Sequence, residues 1–425
     1  MKASKRTNSA DLAYIVTRQV AQTVGAFAQL LLATNLMTAH TFGVFVLAQT
    51  GVILAQQTLF GPLAASALRF WSTAEEDGRP VRALGASIMA LLLGVGLAVS
   101  ALTIAAVSFL PGHRLLALGV GFQALVTAVV ALGTALSNAE LNRRLIAQVT
   151  VPAVALRIVT LFAALSTWPT PEAAFWAIAS VGAVEAGVYA LRYRRLFRGG
   201  ANREMLRDLA RYAWPVTIVG IGLWMRATTD RWVLAIALSP AEAGIYVASY
   251  QLLYMPIQSA AVVLNQFVAP SVFRAASTAP GSEVRTIWKT VAALTGITSA
   301  IAVVLLSAGQ QLLGALLPDD FALGRLALLA ILIAGLLMAV GQTMGLAIMG
   351  SFRTWKLVPP TFIASAVGAV AAFFGGTYFG IEGVVAGSII FGVAYIAGMY
   401  RSWPKRHGVA HLSEAIGVHQ HASRS

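Results

Sequence analysis

The chain has 425 residues, of which 58% are hydrophobic and 11% charged, with a net charge of +14 and no cysteine. Its mean hydropathy of +0.76 excludes an ordinary soluble domain, and the missing cysteines exclude disulfides and thiolate metal sites. The basic balance does not point to nucleic acid, because no basic domain with interleaved aromatics stands apart from the apolar stretches.

About 20 apolar residues cross a bilayer core as a helix. On that measure the chain divides in order into twelve spans, at about 12–36, 42–67, 84–110, 115–137, 148–167, 173–191, 214–238, 242–269, 289–316, 323–349, 357–379 and 383–400. No alternating strand pattern of eight to ten residues occurs, so the expected fold class is an all-α membrane protein, a bundle of twelve transmembrane helices. The basic start at Lys2, Lys5 and Arg6 runs into a long apolar segment without a small-residue cleavage signal, which reads as the first helix rather than a signal peptide. Lysine and arginine are retained on the cytoplasmic side during insertion. Of the 30 basic residues, 24 fall in the N-terminal tail, in loops after even-numbered spans, or in the C-terminal tail. Only Arg114 and Arg325 lie on the opposite side, so both termini are expected in the cytoplasm, in a multi-pass protein of the cytoplasmic (inner) membrane.

The first span carries Arg18, Gln22, Gly25 and Gln29 on one stripe, and the second carries Gln49 and Gln56 seven apart. Span 4 repeats the device with Gln123, Thr127, Thr134 and Asn138. Arg157 lies within span 5 and Glu185 within span 6. Arg18 and Arg157 sit roughly 10–14 Å from the cytoplasmic end at 1.5 Å per residue, a depth across which an arginine can partly snorkel. The segment 192–213 is the longest cytoplasmic connection: a basic cluster, a break at Gly199 and Gly200, then an amphipathic stretch with Met205, Leu206 and Leu209 on one side. It reads as a surface helix joining two halves, giving lobes at 1–191 and 214–400 and a tail at 401–425 expected to be disordered.

Span 7 holds Arg226, Asp230 and Arg231 near its middle. Arg226 and Asp230 are four apart and suit an internal pair, which leaves Arg231 without a partner in its own helix. Span 8 presents Tyr250, Tyr254, Gln258 and Asn265 along one face, aromatic surface mixed with amides that suits sugar rings. Single glutamines and threonines also serve as glue between packed helices, whereas stripes on several spans favour a wet cavity. A cation in hydrocarbon faces a cavity or a counter-ion, so four interior arginines against two interior acids point to an anionic visitor.

The halves resemble each other. LMTAHTFGVFV at 36–46 matches ALSPAEAGIYV at 237–247, pairing Gly43 with Gly244 and Phe45 with Tyr246, and RFWSTA at 69–74 is echoed by RAASTA at 274–279. Both copies start from the cytoplasm, so the repeats are expected to be parallel, with a site where they meet. Chance similarity between apolar segments is the alternative.

The stretch RYAWPVTIVGIGLWMRATTDRWVLAIALSPAEAGIYVASYQLLYMPIQ at 211–258 resembles the span 7 and 8 signature of the polysaccharide biosynthesis or O-antigen-type flippases of the multidrug, oligosaccharidyl-lipid, polysaccharide (MOP, MATE-like) exporter superfamily. It has Tyr and Pro at the helix entrance, an Asp-Arg pair in mid-span, then Gly-Ile-Tyr and a later Pro; FGVFVLAQ at 42–49 is similar to the family's opening pattern. The resemblance implies a carrier, not an enzyme, that moves a polyprenyl-diphosphate-linked oligosaccharide across the membrane by alternating access. It implies no cofactor, leaves a coupling ion open between proton, sodium and none, and places the carrier beside a polymerase and glycosyltransferases of the same pathway. On that reading Arg226 and Arg231, with Arg18 and Arg157, meet the diphosphate, Asp230 and Glu185 balance charge or couple an ion, and Gln22, Gln29, Gln49, Gln56, Gln123, Tyr250, Tyr254, Gln258 and Asn265 face the glycan. The rivals are a multidrug exporter of organic cations, expected to favour acids; a peptidoglycan-precursor carrier, expected to have fourteen spans; and a membrane polymerase or glycosyltransferase, expected to show a large external loop or an acidic cytoplasmic motif. Asp319 and Asp320 are adjacent loop acids of the kind usually only solvated, His407, His411, His419 and His421 have no metal spacing, and no phosphate-binding glycine loop for ATP is present.

Overall fold

A computed structural model describes residues 9–74, 81–108, 114–195, 200–278, 283–350 and 354–403. The described residues are almost wholly helical and contain no strand. In chain order the helices are α1 (Ser9–Leu36), α2 (Ala39–Ala55), α3 (Gly61–Ala74), α4 (Val81–Ser108), α5 (Arg114–Ala139), α6 (Arg143–Thr167), α7 (Pro171–Tyr193), α8 (Arg203–Ala237), α9 (Pro240–Thr278), α10 (Glu283–Leu316), α11 (Arg325–Gly350) and α12 (Val358–Ser402). A π-helical turn, Gln56–Phe60, joins α2 to α3, so the two form one continuous rod with a bulge. Nine helical stretches among the described residues are long and apolar enough to cross a membrane. This is a multi-pass membrane protein. The nine take α2 with α3 as one stretch and α12 as one, and omit α1 and α8, the latter carrying Arg226, Asp230 and Arg231 in mid-helix.

α12 is one helix only in name. Gly380 has φ 63° and ψ −143°, a combination open essentially to glycine, and the chain doubles back there. The two arms pack with a common register. A Cβ on Gly375 would overlap the carbonyl oxygen of Gly383 and the reverse also holds, Gly387 lies on Ala372, Gly368 on Phe391, and Gly398 on Pro360. Each pair straddles Gly380, so the element is an antiparallel hairpin whose arms, 358–379 and 381–402, fall on the last two predicted spans.

The segment expected as a separate surface helix does not stand alone. After Tyr193 the chain resumes helix at Arg203, capped by Asn202, whose Oδ1 accepts from the Glu204 amide at 2.8 Å, and runs unbroken to Ala237. Its apolar face, Met205, Leu209 and Ala213, has a place to be buried: it joins a core cluster with Phe60, Leu63, Leu84, Ile88, Leu132 and Tyr189. No glycine lies between Ala201 and Val219 to end the helix, so the amphipathic stretch becomes the first turns of α8.

Contacts divide the chain into two compact units, Met1–Ala248 with Gly314–Ala322, and Ser249–Leu313 with Leu323–Ser425. The first therefore contains α8, which packs along α2, the π-turn and α3. Within it α1 lies on α6, α5 on α4 and α7, and α6 on α7. The second unit is centred on Val272, Ile287, Met338, Ile348, Ala364, Tyr395 and Met399. One packing device occurs in each unit: Gly133 of α5 receives the ring of Tyr189 from α7, and Gly341 of α11 receives the ring of Tyr395 from α12. These are spans 4 and 6 of the first half and spans 10 and 12 of the second. The correspondence is a further trace of the internal repeat, and it lies in apolar sequence where no motif marks it.

Candidate functional site

The first unit holds two groups of buried charge. One is built on α8. Asp230 and Arg231 are 9% and 8% exposed, an unusual degree of burial for ionisable residues. The Asp230 carboxylate accepts from the Tyr246 hydroxyl of α9 at 2.6 Å and from the amide of Arg231 at 2.8 Å. The Nε–H of Arg231 is buried and has no acceptor. Two tryptophans fix this part of α8 against α2: Trp224 donates its indole N–H to the Thr50 carbonyl at 2.9 Å, and Trp232 donates to the Thr50 hydroxyl at 3.0 Å. Gly220 allows the close approach, since a Cβ there would overlap the Gln57 carbonyl in the π-turn.

The expected pairing of Asp230 with Arg226 rests on a side chain that lies outside the described residues; among the described residues, the hydroxyl bonded to Asp230 is that of Tyr246. Tyr246 escaped notice as a site residue because an aromatic in an apolar run reads as core. Its signal was the repeat, which sets Tyr246 opposite Phe45, so the second half has a hydroxyl where the first has none. Thr50, Trp224 and Trp232 were missed for the same reason.

The other group lies between α1, α5, α6 and α7. Arg157 Nη2 donates to Glu185 Oε2 at 2.5 Å, with the carboxylate almost fully buried and the arginine side chain 27% exposed. Arg18 lies on α1, which packs along α6, the helix of Arg157. The Nε–H groups of Arg18 and Arg157 are buried without a hydrogen-bond partner. Arg18 and Arg157 reach this position because Gly25 lets α1 approach Val154 of α6 closely. Arg157 and Glu185, read separately from two spans, are thus brought together, and Arg18 lies on the helix packed against α6.

The amides divide by environment. Gln123 is buried with its carbonyl oxygen unpaired, and so are the carbonyl oxygens of Gln49 and Gln57. Gln22 and Gln56 are exposed, and Gln29 donates to the carbonyl of Gly25 in its own helix at 3.0 Å. In the second unit Tyr250 and Tyr254 stack with centroids 4.4 Å apart and planes at 19°. There Gln258 donates to the Gly335 carbonyl at 3.4 Å and Asn265 accepts from Thr343 at 2.9 Å, so both amides are engaged with α11. The tail histidines lie outside the described residues, among which no cluster of three or more histidines, aspartates or glutamates suits a metal ion.

In sum the described interior of the first unit sets Arg18, Arg157 and Arg231 against Glu185 and Asp230, with three guanidinium Nε–H groups lacking acceptors. Buried donors without acceptors are costly, and an anion or water that enters relieves them.

The sequence profile of the family described as "Polysaccharide biosynthesis protein" matches residues 9–275. No curated protein matches the chain. Among solved structures, an inward-facing multidrug resistance MATE family transporter of the MOP superfamily superposes with a TM-score of 0.74 at 16% identity, covering 92% of this chain and 96% of that one. The lipid II flippase MurJ in an inward closed conformation superposes with a TM-score of 0.72 at 11% identity, covering 92% and 88%. A MOP superfamily transporter from Pyrococcus furiosus, described by the reverse polarity of its binding pocket, does so with a TM-score of 0.63 at 16% identity, covering 92% and 93%. The fold is shared with all three.

Proposed function

The chain belongs to the polysaccharide biosynthesis protein family, and from that premise we propose that it is a flippase of the cytoplasmic membrane. It moves a polyprenyl-diphosphate-linked oligosaccharide from the cytoplasmic to the outer leaflet by alternating access, on twelve spans with both termini in the cytoplasm. One observation carries the reading: three interior arginines, Arg18, Arg157 and Arg231, each keep a buried Nε–H without an acceptor against two interior acids, and Arg231 does so beside an aspartate already held by Tyr246. A site for organic cations would need the opposite balance. A diphosphate supplies acceptor oxygens in the forked geometry that guanidinium groups match, and bringing it in offsets positive charge that lipid cannot solvate.

On this reading Arg231 and Arg226 take the diphosphate, with Arg18 and Arg157 meeting it from the cytoplasmic side. Asp230 and Glu185 hold the charge in balance when the carrier is empty, Asp230 as a buried acid next to Arg231 in the chain and Glu185 through its bridge to Arg157. In the first unit the unpaired carbonyl oxygens of Gln49 and Gln123 are hydrogen-bonding groups of the kind a glycan uses, and in the second the stacked Tyr250 and Tyr254 are ring surface of the same kind. The polyprenyl tail stays in lipid. The test is ligand-induced stabilisation. A short polyprenyl-diphosphate sugar raises the melting temperature of the purified protein, the monophosphate analogue raises it less, and Arg231→Ala removes the difference. Equal stabilisation of wild type and variant contradicts the assignment.

A further inference from the structure

Outside the charged groups, the first unit carries a groove of about 430 Å3 on its flank, within the roughly 300–1,000 Å3 range of small-molecule sites. Its walls come from α4, α5, α7 and the residue before the α8 cap, and the side chains that line it are apolar. Ala86, Ala90 and Leu93 follow one another at four- and three-residue spacing on α4, Ala190 faces them from α7, and Ala201 lies at one end. That end is fixed, because the amide of Asn202 donates to the Ser87 hydroxyl at 2.9 Å and ties the loop to α4. Small side chains leave a smooth trough, and Ala90 and Leu93 are exposed along it.

The ends of the groove differ in charge. Arg194, exposed, stands four residues beyond Ala190 and so continues its helical face past the end of α7; Arg203, also exposed, follows Ala201 by two. The chain is therefore basic next to two of the groove's lining residues, Arg194 one helical turn past Ala190 and Arg203 two residues past Ala201. Basic side chains at that level attract anionic headgroups.

We propose that this groove binds one acyl chain of an anionic phospholipid, with the headgroup phosphate at Arg194 and Arg203. The occupant is a bilayer lipid rather than the polyprenyl carrier, because a chain of many isoprene units would exceed a volume of about 430 Å3. The site is independent of the transport reading.

Native mass spectrometry of the full chain released from detergent tests the proposal, with phosphatidylglycerol, phosphatidylcholine and undecaprenyl phosphate supplied separately and in competition. Wild type retains one phosphatidylglycerol and little phosphatidylcholine. Ala90→Trp fills the trough and lowers phosphatidylglycerol retention about tenfold, an effect the size of a few buried methylenes, whereas Val159→Trp on the exposed face of α6 leaves it unchanged. Arg194→Gln/Arg203→Gln, surface changes that leave the packing alone, abolishes the preference for phosphatidylglycerol over phosphatidylcholine. Retention unaffected by both variants, equal retention of the two phospholipids by wild type, or displacement by undecaprenyl phosphate overturns the proposal.

Discussion

Gly43 and Gly244, the glycines paired by the internal repeat, pack directly against each other where α2 and α9 begin. A Cβ on Gly244 would lie 3.0 Å from the Gly43 nitrogen and would overlap the carbonyl of Ala39; a Cβ on Gly43 would lie 3.3 Å from the Gly244 nitrogen and would overlap the carbonyl of Pro240. Ala39 and Pro240 are themselves equivalent in the repeat, so each half places the same carbonyl over the other's glycine. The crossing is closed by Phe321, 1% exposed, whose ring meets Phe42 edge-on at 5.7 Å, and by Asn35, which donates to the Leu316 carbonyl at 3.2 Å.

Gly43→Ala and Gly244→Ala are each expected to destabilise the protein by about 1–3 kcal/mol, because the obstacle at both positions is backbone that cannot rotate away. Gly51→Ala, where a Cβ meets nothing within 4 Å, is the matched control and is expected to be neutral or slightly stabilising. Thermal unfolding of the three variants in one detergent decides it.

At Gly380 the constraint is dihedral. Gly380→Ala places a side chain where L-residues are strained and is expected to cost about 1–3 kcal/mol, with the loss read as lower yield of monodisperse protein and a lower melting temperature. Ala substitution at Gly296, which faces open space, gives the comparison.

The hairpin shows what was legible in the sequence and why. Hydropathy separated the spans on either side of Gly380 because a polar pause and a glycine coincide there, and the all-helical class followed from the same runs. The amphipathic face after Ala201 was legible as a face but not as the start of α8, since sequence shows which residues want burial and not which surface receives them. Arg157 and Glu185 were each identifiable as interior charge, yet their bridge depends on α6 packing against α7, a tertiary fact. Apart from the repeat, nothing in the sequence marked Tyr246 as a site residue, because a single aromatic within an apolar run reads as core whether or not it carries a hydroxyl.

Tyr246→Phe removes a hydrogen bond to a buried carboxylate and is expected to cost about 1–3 kcal/mol. In an Asp230→Asn background the same change is expected to cost less, since a neutral amide is less dependent on that donor. A double-mutant cycle on melting free energies measures the coupling, and strict additivity would mean the hydroxyl and the carboxylate do not act as a pair.

Arg157→Gln strands the nearly buried carboxylate of Glu185, and Glu185→Gln strands part of a guanidinium. Each single change is expected to be more destabilising than the double change Arg157→Gln/Glu185→Gln, in which no unpaired charge from the bridge remains. The order of the three melting temperatures is the readout.

The most direct measurement of the central claim is transport in proteoliposomes, comparing movement of a polyprenyl-diphosphate oligosaccharide with movement of a cationic dye. Arg231→Ala removes a charged hydrogen bond of about 1.5–3 kcal/mol, so diphosphate-lipid movement is expected to fall by about 10- to 100-fold while any dye movement is spared. Undiminished movement of the diphosphate lipid by that variant, or loss confined to the dye, would contradict the account.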